Sequence, residues 1–256
     1  KEEEMRKWQR LGYSIYPFHQ LDGMVPNGAD RIRDICMHTD ARYDCMEICF
    51  VMTKTNRFSK EPLMQTRWHQ GYPFNVDAPN SMAGCFPIAI AQVMYHHRWP
   101  SRYNWSNIGI NPTANPDFNR FILDIRYYTQ ASYEFSGTGV SSEDAIYALN
   151  NNLGYRATQY NFPQGSYSAY SAISPSISRN NPVIMTGYRM DNNGDKIGHA
   201  WVADGYREDE YEVAVAMIEE YTDGNYSYYN VQRERRNPYF SMNWGWGDAP
   251  VWISAY

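Results

Sequence analysis

The chain has 256 residues, of which 43% are hydrophobic, 20% charged and 16% aromatic, with a formal net charge of −5. That balance excludes a disordered protein and allows a full core, built as one large domain or as two lobes with a cleft. The acidic balance excludes a phosphate-backbone partner, since nucleic-acid binders concentrate basic side chains on one face.

Residues 1–62 mix charge, Pro and Gly with little periodicity and open on a charged stretch without an initiator Met, which reads as a processed or trimmed chain. No apolar run approaches the ~18 residues that cross a bilayer. Cys36, His38, Cys45 and Cys49 fit no standard zinc spacing, and the three cysteines read as ordinary buried or partly paired thiols. With Cys85 set aside for chemistry the other three cannot all pair, so no complete disulfide framework is expected.

The sequence changes character at Pro62 and Leu63. From Gly84 the run Ile88, Ala89, Ile90, Ala91, Val93, Met94 predicts a helix buried on most sides, with Pro87 in its first turn and its end before Pro100. A second helix is predicted from Asp117 to about Gln130, where Phe118, Phe121, Ile122, Ile125 and Tyr128 share a face. A third follows Ser141, which caps it with Asp144 reaching back, and Gly154 stops it. After Pro182 the pattern turns to strands, at 183–187, 199–204, 210–218, 226–231 and 239–244, with a hairpin turn over 222–225. Helices followed by strands give an α+β class. Asp191, Asn193 and Asp195 alternate like calcium ligands, but Gly194 stands in the wrong place, so they read as a polar turn. The cluster Arg233, Arg235, Arg236 is broken by Glu234 and reads as solvated surface.

Cys85 stands at the mouth of the apolar helix, where unpaired backbone N–H groups and the macrodipole favour a thiolate; the competing reading is a small buried hydrophobe. A base is needed. His96 and His97 lie eleven and twelve residues along the same helix, roughly 16 Å away at 1.5 Å per residue, and cannot reach the sulfur. His19, His38 and His69 have no such setting. His199 begins a strand between Gly198 and Gly205 and can be held facing the helix mouth, although a strand-end His bonded to solvent or to a carbonyl is the bland alternative. Asn243 can accept the imidazole N–H while Trp244 shields that bond. Gln70 can donate to an oxyanion together with the Cys85 N–H.

Gly84–Cys85, Ala89 to Met94, His96, Pro100, then Gly198 to Gly205 and Asn243 to Gly247, with Leu63, Trp68, Gln70, Gly71, Pro73, Phe74 and Asn75 upstream, resemble the streptopain family of bacterial cysteine peptidases, over roughly residues 63–247. The resemblance implies a papain-like fold, with a helical lobe carrying the Cys (about 63–180) and an antiparallel β lobe carrying the His (about 181–256). It implies Cys85 as nucleophile, His199 as base and acid, Gln70 as oxyanion donor, Asn243 and Trp244 orienting His199, and Gly84, Gly198 and Trp246 on the substrate side. It further implies an exported endopeptidase that acts on proteins or peptides through an acyl-enzyme, prefers apolar side chains two residues before the cut, needs no cofactor or metal, and is made as a zymogen. Residues 1–62 could be a remnant of its inhibitory prosegment. His69, where the family usually has Gly, and Phe86 with Pro87, where it has smaller residues, could narrow the cleft. The long span from Gly205 to Asn243 reads as an inserted hairpin, and the end after Gly247 as a shortened tail. Acyl transfer by the same Cys–His pair, or a binding protein on an impaired peptidase scaffold, are the competing functions.

Overall fold

The computed structural model describes residues 6, 9–10, 14–17, 48–134, 137–163, 167–220, 226–227 and 231–254, the side chains of 14–17, 48–57, 133–134, 137, 167 and 209–237 excepted. Two compact units are present: residues 1–58 with 208–237, and residues 59–207 with 238–256. In the first, β1 (Ser14–Pro17) pairs antiparallel with β2 (Ile48–Lys60), Ser14 opposite Thr53. The sequence reading assigned no strand before residue 62. Also in this unit, β6 (Lys196–Glu220) pairs with β7 (Tyr226–Ser227), Glu220 opposite Tyr226, in the hairpin expected between Gly205 and Asn243. The two predicted strands at 199–204 and 210–218 are one continuous strand in β6. The turn at 222–225 lies outside the described residues, as do Cys36, His38, Cys45, His19 and the side chains of Cys49, Arg233, Arg235 and Arg236.

The second unit is helical in its first half. α1 spans Cys85–His97, α2 Trp105–Ile108, α3 Pro116–Tyr128 and α4 Ser142–Asn151, with the short hairpin β3 (Ser132–Glu134) and β4 (Gly137–Gly139) between the last two. Two of the predicted helices, α3 and α4, start on a side-chain cap. Pro116 occupies the first turn of α3 and Asn115 Oδ1 accepts from Phe118 N at 3.0 Å, while Ser141 Oγ accepts from Asp144 N at 3.0 Å. Phe118, Phe121, Ile122 and Ile125, spaced to share one face, are fully buried with Ile88, Ile90, Ala91 and Met94 of α1, with Trp68 and Phe74, and with Ala145, Ala148 and Leu149 of α4.

A fifth helix, α5 (Tyr167–Ser178), was not predicted. Its sequence is diluted by serines and holds Pro175, yet Tyr170, Ile173 and Ile177 fall on one face and pack on Ala203, Phe240 and Met242 of the sheet. Antiparallel β5 (Val183–Met190) and β6 form a hairpin, Val183 opposite Ala203. Asp191 Oδ1 accepts from the amides of Asn193 and Asp195 at 2.9 and 2.8 Å, closing the polar turn between them. β8 (Val231–Asn243) neighbours β6, and β9 (Val251–Ser254) pairs with it, Met242 opposite Val251. The α+β class holds, with helices first and an antiparallel sheet second. No helix among the described residues is long and apolar enough to cross a membrane.

Candidate active site

Gly84 has φ 97° and ψ 139°, backbone that side-chain-bearing residues rarely adopt, and a Cβ there would stand 3.1 Å from both Pro87 Cδ and Thr138 Cγ2. This sharp entry makes Cys85 the first residue of α1, half-buried and free of any disulfide. The helix then runs through the core to Arg98, which caps it in the left-handed conformation. His96 and His97 end that helix, far from its start, and His96 Nε2 lies 3.1 Å from the Asn180 carbonyl.

His199 lies on β6 opposite Gly187, with Gly198 next to it opposite Tyr188. Its Nε2 is 3.0 Å from the Trp244 carbonyl. A carbonyl only accepts, so Nε2 carries the hydrogen and Nδ1 of the neutral ring is left bare as a base. Indoles surround the ring: Trp201 and Trp244 are stacked with it at centroid distances of 6.1 and 5.9 Å, and Trp246 is tilted at 5.1 Å. Trp246 remains 59% exposed, which leaves one aromatic face of the cage open to a ligand. Burial pushes the His199 pKa down, partly offset by the bond to Trp244. In Cys85→Ala protein the His199 ring is therefore expected to titrate below the ordinary histidine value of about 6.5, followed by NMR of its Cε1–H. The folded form resists protonation, so this group's contribution to stability is complete above pH ~6.5 and is lost as pH falls through the folded pKa. A midpoint above 6.5 would contradict the buried setting.

The helix and the strand meet directly. Ala89 and Val93 of α1 share a buried cluster with Met64 and with Val202, three residues along β6 from His199. The loop after β8 closes on the same helix, since a Cβ on Gly245 (φ 72°) would stand 3.2 Å from Ile88 Cγ2, and Gly247 N donates to Trp68 O at 3.2 Å. Gln70 enters from the other side: its carbonyl accepts from Ala83 N at 2.8 Å, which brings it beside the residues that lead into Cys85.

One expected contact differs. The Asn243 side chain, 2% exposed, does not carry the bond to the imidazole. Its Oδ1 accepts from Gln92 Nε2 and from Gly245 N, each at 3.2 Å, and its Nδ2 donates to Thr66 O at 2.9 Å. The side chain points into the protein, so the acceptor for His199 is the next residue's backbone carbonyl. The Trp244 ring is stacked with the imidazole, and Trp201 is a further stacked neighbour that no motif in the sequence marks. Gln92 was passed over too, although a lone amide inside an apolar helix signals a buried partner.

The departures from the family pattern also have places. His69 Nδ1 accepts from Gly71 N at 3.1 Å and its ring meets Phe74 edge-on, with Gly247 lying against it. Phe86 packs against the helical core and Pro87 is buried in it. Among the described residues no three His, Cys, Asp or Glu side chains group as a metal site.

Residues 68–119 and 101–249 match the model of the Peptidase C10 family. The chain is similar to the thiol protease/hemagglutinin PrtT of Porphyromonas gingivalis, 22% identical over 285 aligned residues that cover 96% of this chain and 28% of that protein, so it spans well under half of that relative. It is also similar in structure to active wild-type interpain A, a cysteine protease of Prevotella intermedia, with a TM-score of 0.55 at 19% identity over 76% of this chain and 85% of that one. The likeness gives the papain-like fold, and the family match covers both the helix that begins at Cys85 and the strand of His199: the chain belongs to the Peptidase C10 (streptopain) family of cysteine peptidases.

Proposed function

We propose that the chain is an endopeptidase in which Cys85 is the nucleophile, His199 the general base and acid, and Gln70 with the Cys85 N–H the oxyanion donors. The observation that carries this reading is the loop after β8, whose Trp244 carbonyl takes the His199 Nε2–H and leaves Nδ1 free while Gly245 lies against Ile88, in the first turn of the helix that Cys85 opens. As the Cys85 sulfur attacks a peptide carbonyl carbon, its proton passes to His199 Nδ1 and the carbonyl π electrons move to oxygen. Gln70 and the Cys85 N–H stabilise that oxyanion. Collapse breaks the C–N bond, His199 gives its proton to the leaving amine, and a thioester remains. Water then attacks the thioester while His199 takes its proton, and the acid leaves as the thiol is restored. All these groups lie in residues 63–256, the expected catalytic domain, and within the single compact unit 59–207 with 238–256.

Trp246, beside the imidazole and largely exposed, supplies an apolar wall for substrate, with Gly84 and Gly198 giving close backbone approach. The substrates are proteins or peptides. Export from a bacterial cell and an inhibitory role for residues 1–62 belong to the same proposal, on the strength of the family membership.

Iodoacetamide at mildly acidic pH, with peptide mass spectrometry, tests the nucleophile. Cys85 is expected to be alkylated at least about tenfold faster than Cys36, Cys45 or Cys49. Equal rates at all four would favour a binding scaffold over an enzyme.

A further inference from the structure

Resting on the assignment of His199 as base, we propose that Gln92 is a positioning residue, which with Thr66 and Asn243 holds the Trp244 carbonyl where it receives the imidazole. Gln92 lies seven residues after Cys85 on α1, two helical turns on, so the two side chains leave the same face of one helix. Its amide is spent entirely in the interior. Thr66 Oγ1 donates to Gln92 Oε1 at 2.9 Å, and Gln92 Nε2 donates to Asn243 Oδ1 at 3.2 Å. Asn243 Nδ2 returns to Thr66 O at 2.9 Å, closing a ring of three side chains that are 3%, 0% and 2% exposed at positions 66, 92 and 243.

Buried amides of this kind are costly unless bonded, and a closed network has one arrangement in which all are satisfied. That arrangement fixes Asn243, and Asn243 Oδ1 in turn accepts from Gly245 N. Residues 243 and 245 are thus bonded on either side of Trp244, so the Trp244 peptide has little freedom to turn. Its carbonyl is the group that sets the His199 tautomer. One helix therefore carries the nucleophile at its mouth and, two turns inward, the amide that fixes the acceptor of the base. Misplacing a catalytic base by about 1 Å costs on the order of 100-fold in rate, which makes such a device consequential.

Gln92→Met keeps the length of the side chain and removes both hydrogen bonds. It is expected to lower kcat about 10- to 100-fold per folded molecule, with KM within about twofold, because orientation acts on the transition state. A second readout needs no activity: in Cys85→Ala protein the His199 Nε2–H proton should be protected and resolved by NMR, and Gln92→Met in that background should broaden or shift it. A merely structural Gln92 would lower the unfolding midpoint and leave both readouts alone, and that result overturns the proposal. Should Gln92→Met not fold, Thr66→Val, which removes one bond and keeps the shape, is expected to lower kcat about 3- to 10-fold, and an unchanged kcat there counts equally against it. If His199→Ala retains activity, the assignment of the base fails instead, while the NMR signal still reports on the Trp244 carbonyl.

Discussion

Cys85→Ala is expected to reduce casein hydrolysis by on the order of 10⁴-fold or more, with no change in the unfolding free energy beyond about 1 kcal/mol. The sulfur is half-buried at the start of α1, and its removal takes away the atom that forms the thioester without opening a large cavity. His199→Ala is expected to fall by a similar factor. The Cys85→Ala, His199→Ala double variant should be no slower than the worse of the two, because groups that act as one unit are not additive. Losses that multiply would mean that thiol and imidazole work separately. Activity within tenfold of the parent in Cys85→Ala would end the nucleophile assignment, and with it the reading of the indole-lined His199 as its base.

The helical half of the fold was legible because its signals are local. The all-apolar run after Gly84, the Ser141 cap and the shared face of Phe118, Phe121, Ile122 and Ile125 each fix a helix by near neighbours in the chain. What failed was non-local. α5 has three buried anchors among serines, and only the sheet under Tyr170, Ile173 and Ile177 makes it a helix. β2 pairs with β1 across thirty or more residues, beyond what any window reports. The candidate site shows the same division. Cys85 opens its helix as expected, whereas His199, expected to begin a strand, is the fourth residue of β6, and the partner of the imidazole turned on which way Asn243 faces. Its inward orientation is set by Gln92 and Thr66, 151 and 177 residues away in sequence, and no spacing rule encodes that.

Trp68 couples the core to the site, and Trp68→Ala is expected to cost about 3–5 kcal/mol of stability in urea unfolding. Its ring is 2% exposed and meets Tyr95 of α1, Phe74 and Phe121 of α3 at centroid distances of 5.0, 5.4 and 6.4 Å. Truncation removes these contacts together and leaves a cavity that the two helices and the Phe74 turn cannot easily collapse. It also strands the Ile110 carbonyl, which accepts from Trp68 Nε1 at 2.7 Å. Trp68→Phe keeps most of the ring volume and should lose roughly half as much, chiefly that hydrogen bond and the unfilled second ring. Activity should fall with stability for a separate reason. Trp68 O accepts from Gly247 N, and Gln70 follows two residues on, so loosening this segment disturbs both the loop that carries the His199 acceptor and the proposed oxyanion donor. Under conditions where both proteins are fully folded, Trp68→Ala is expected to show kcat/KM about tenfold below the parent. An unfolding free energy within about 1 kcal/mol of the parent would refute the packing account, and full activity in the folded variant would uncouple the aromatic core from the site it supports.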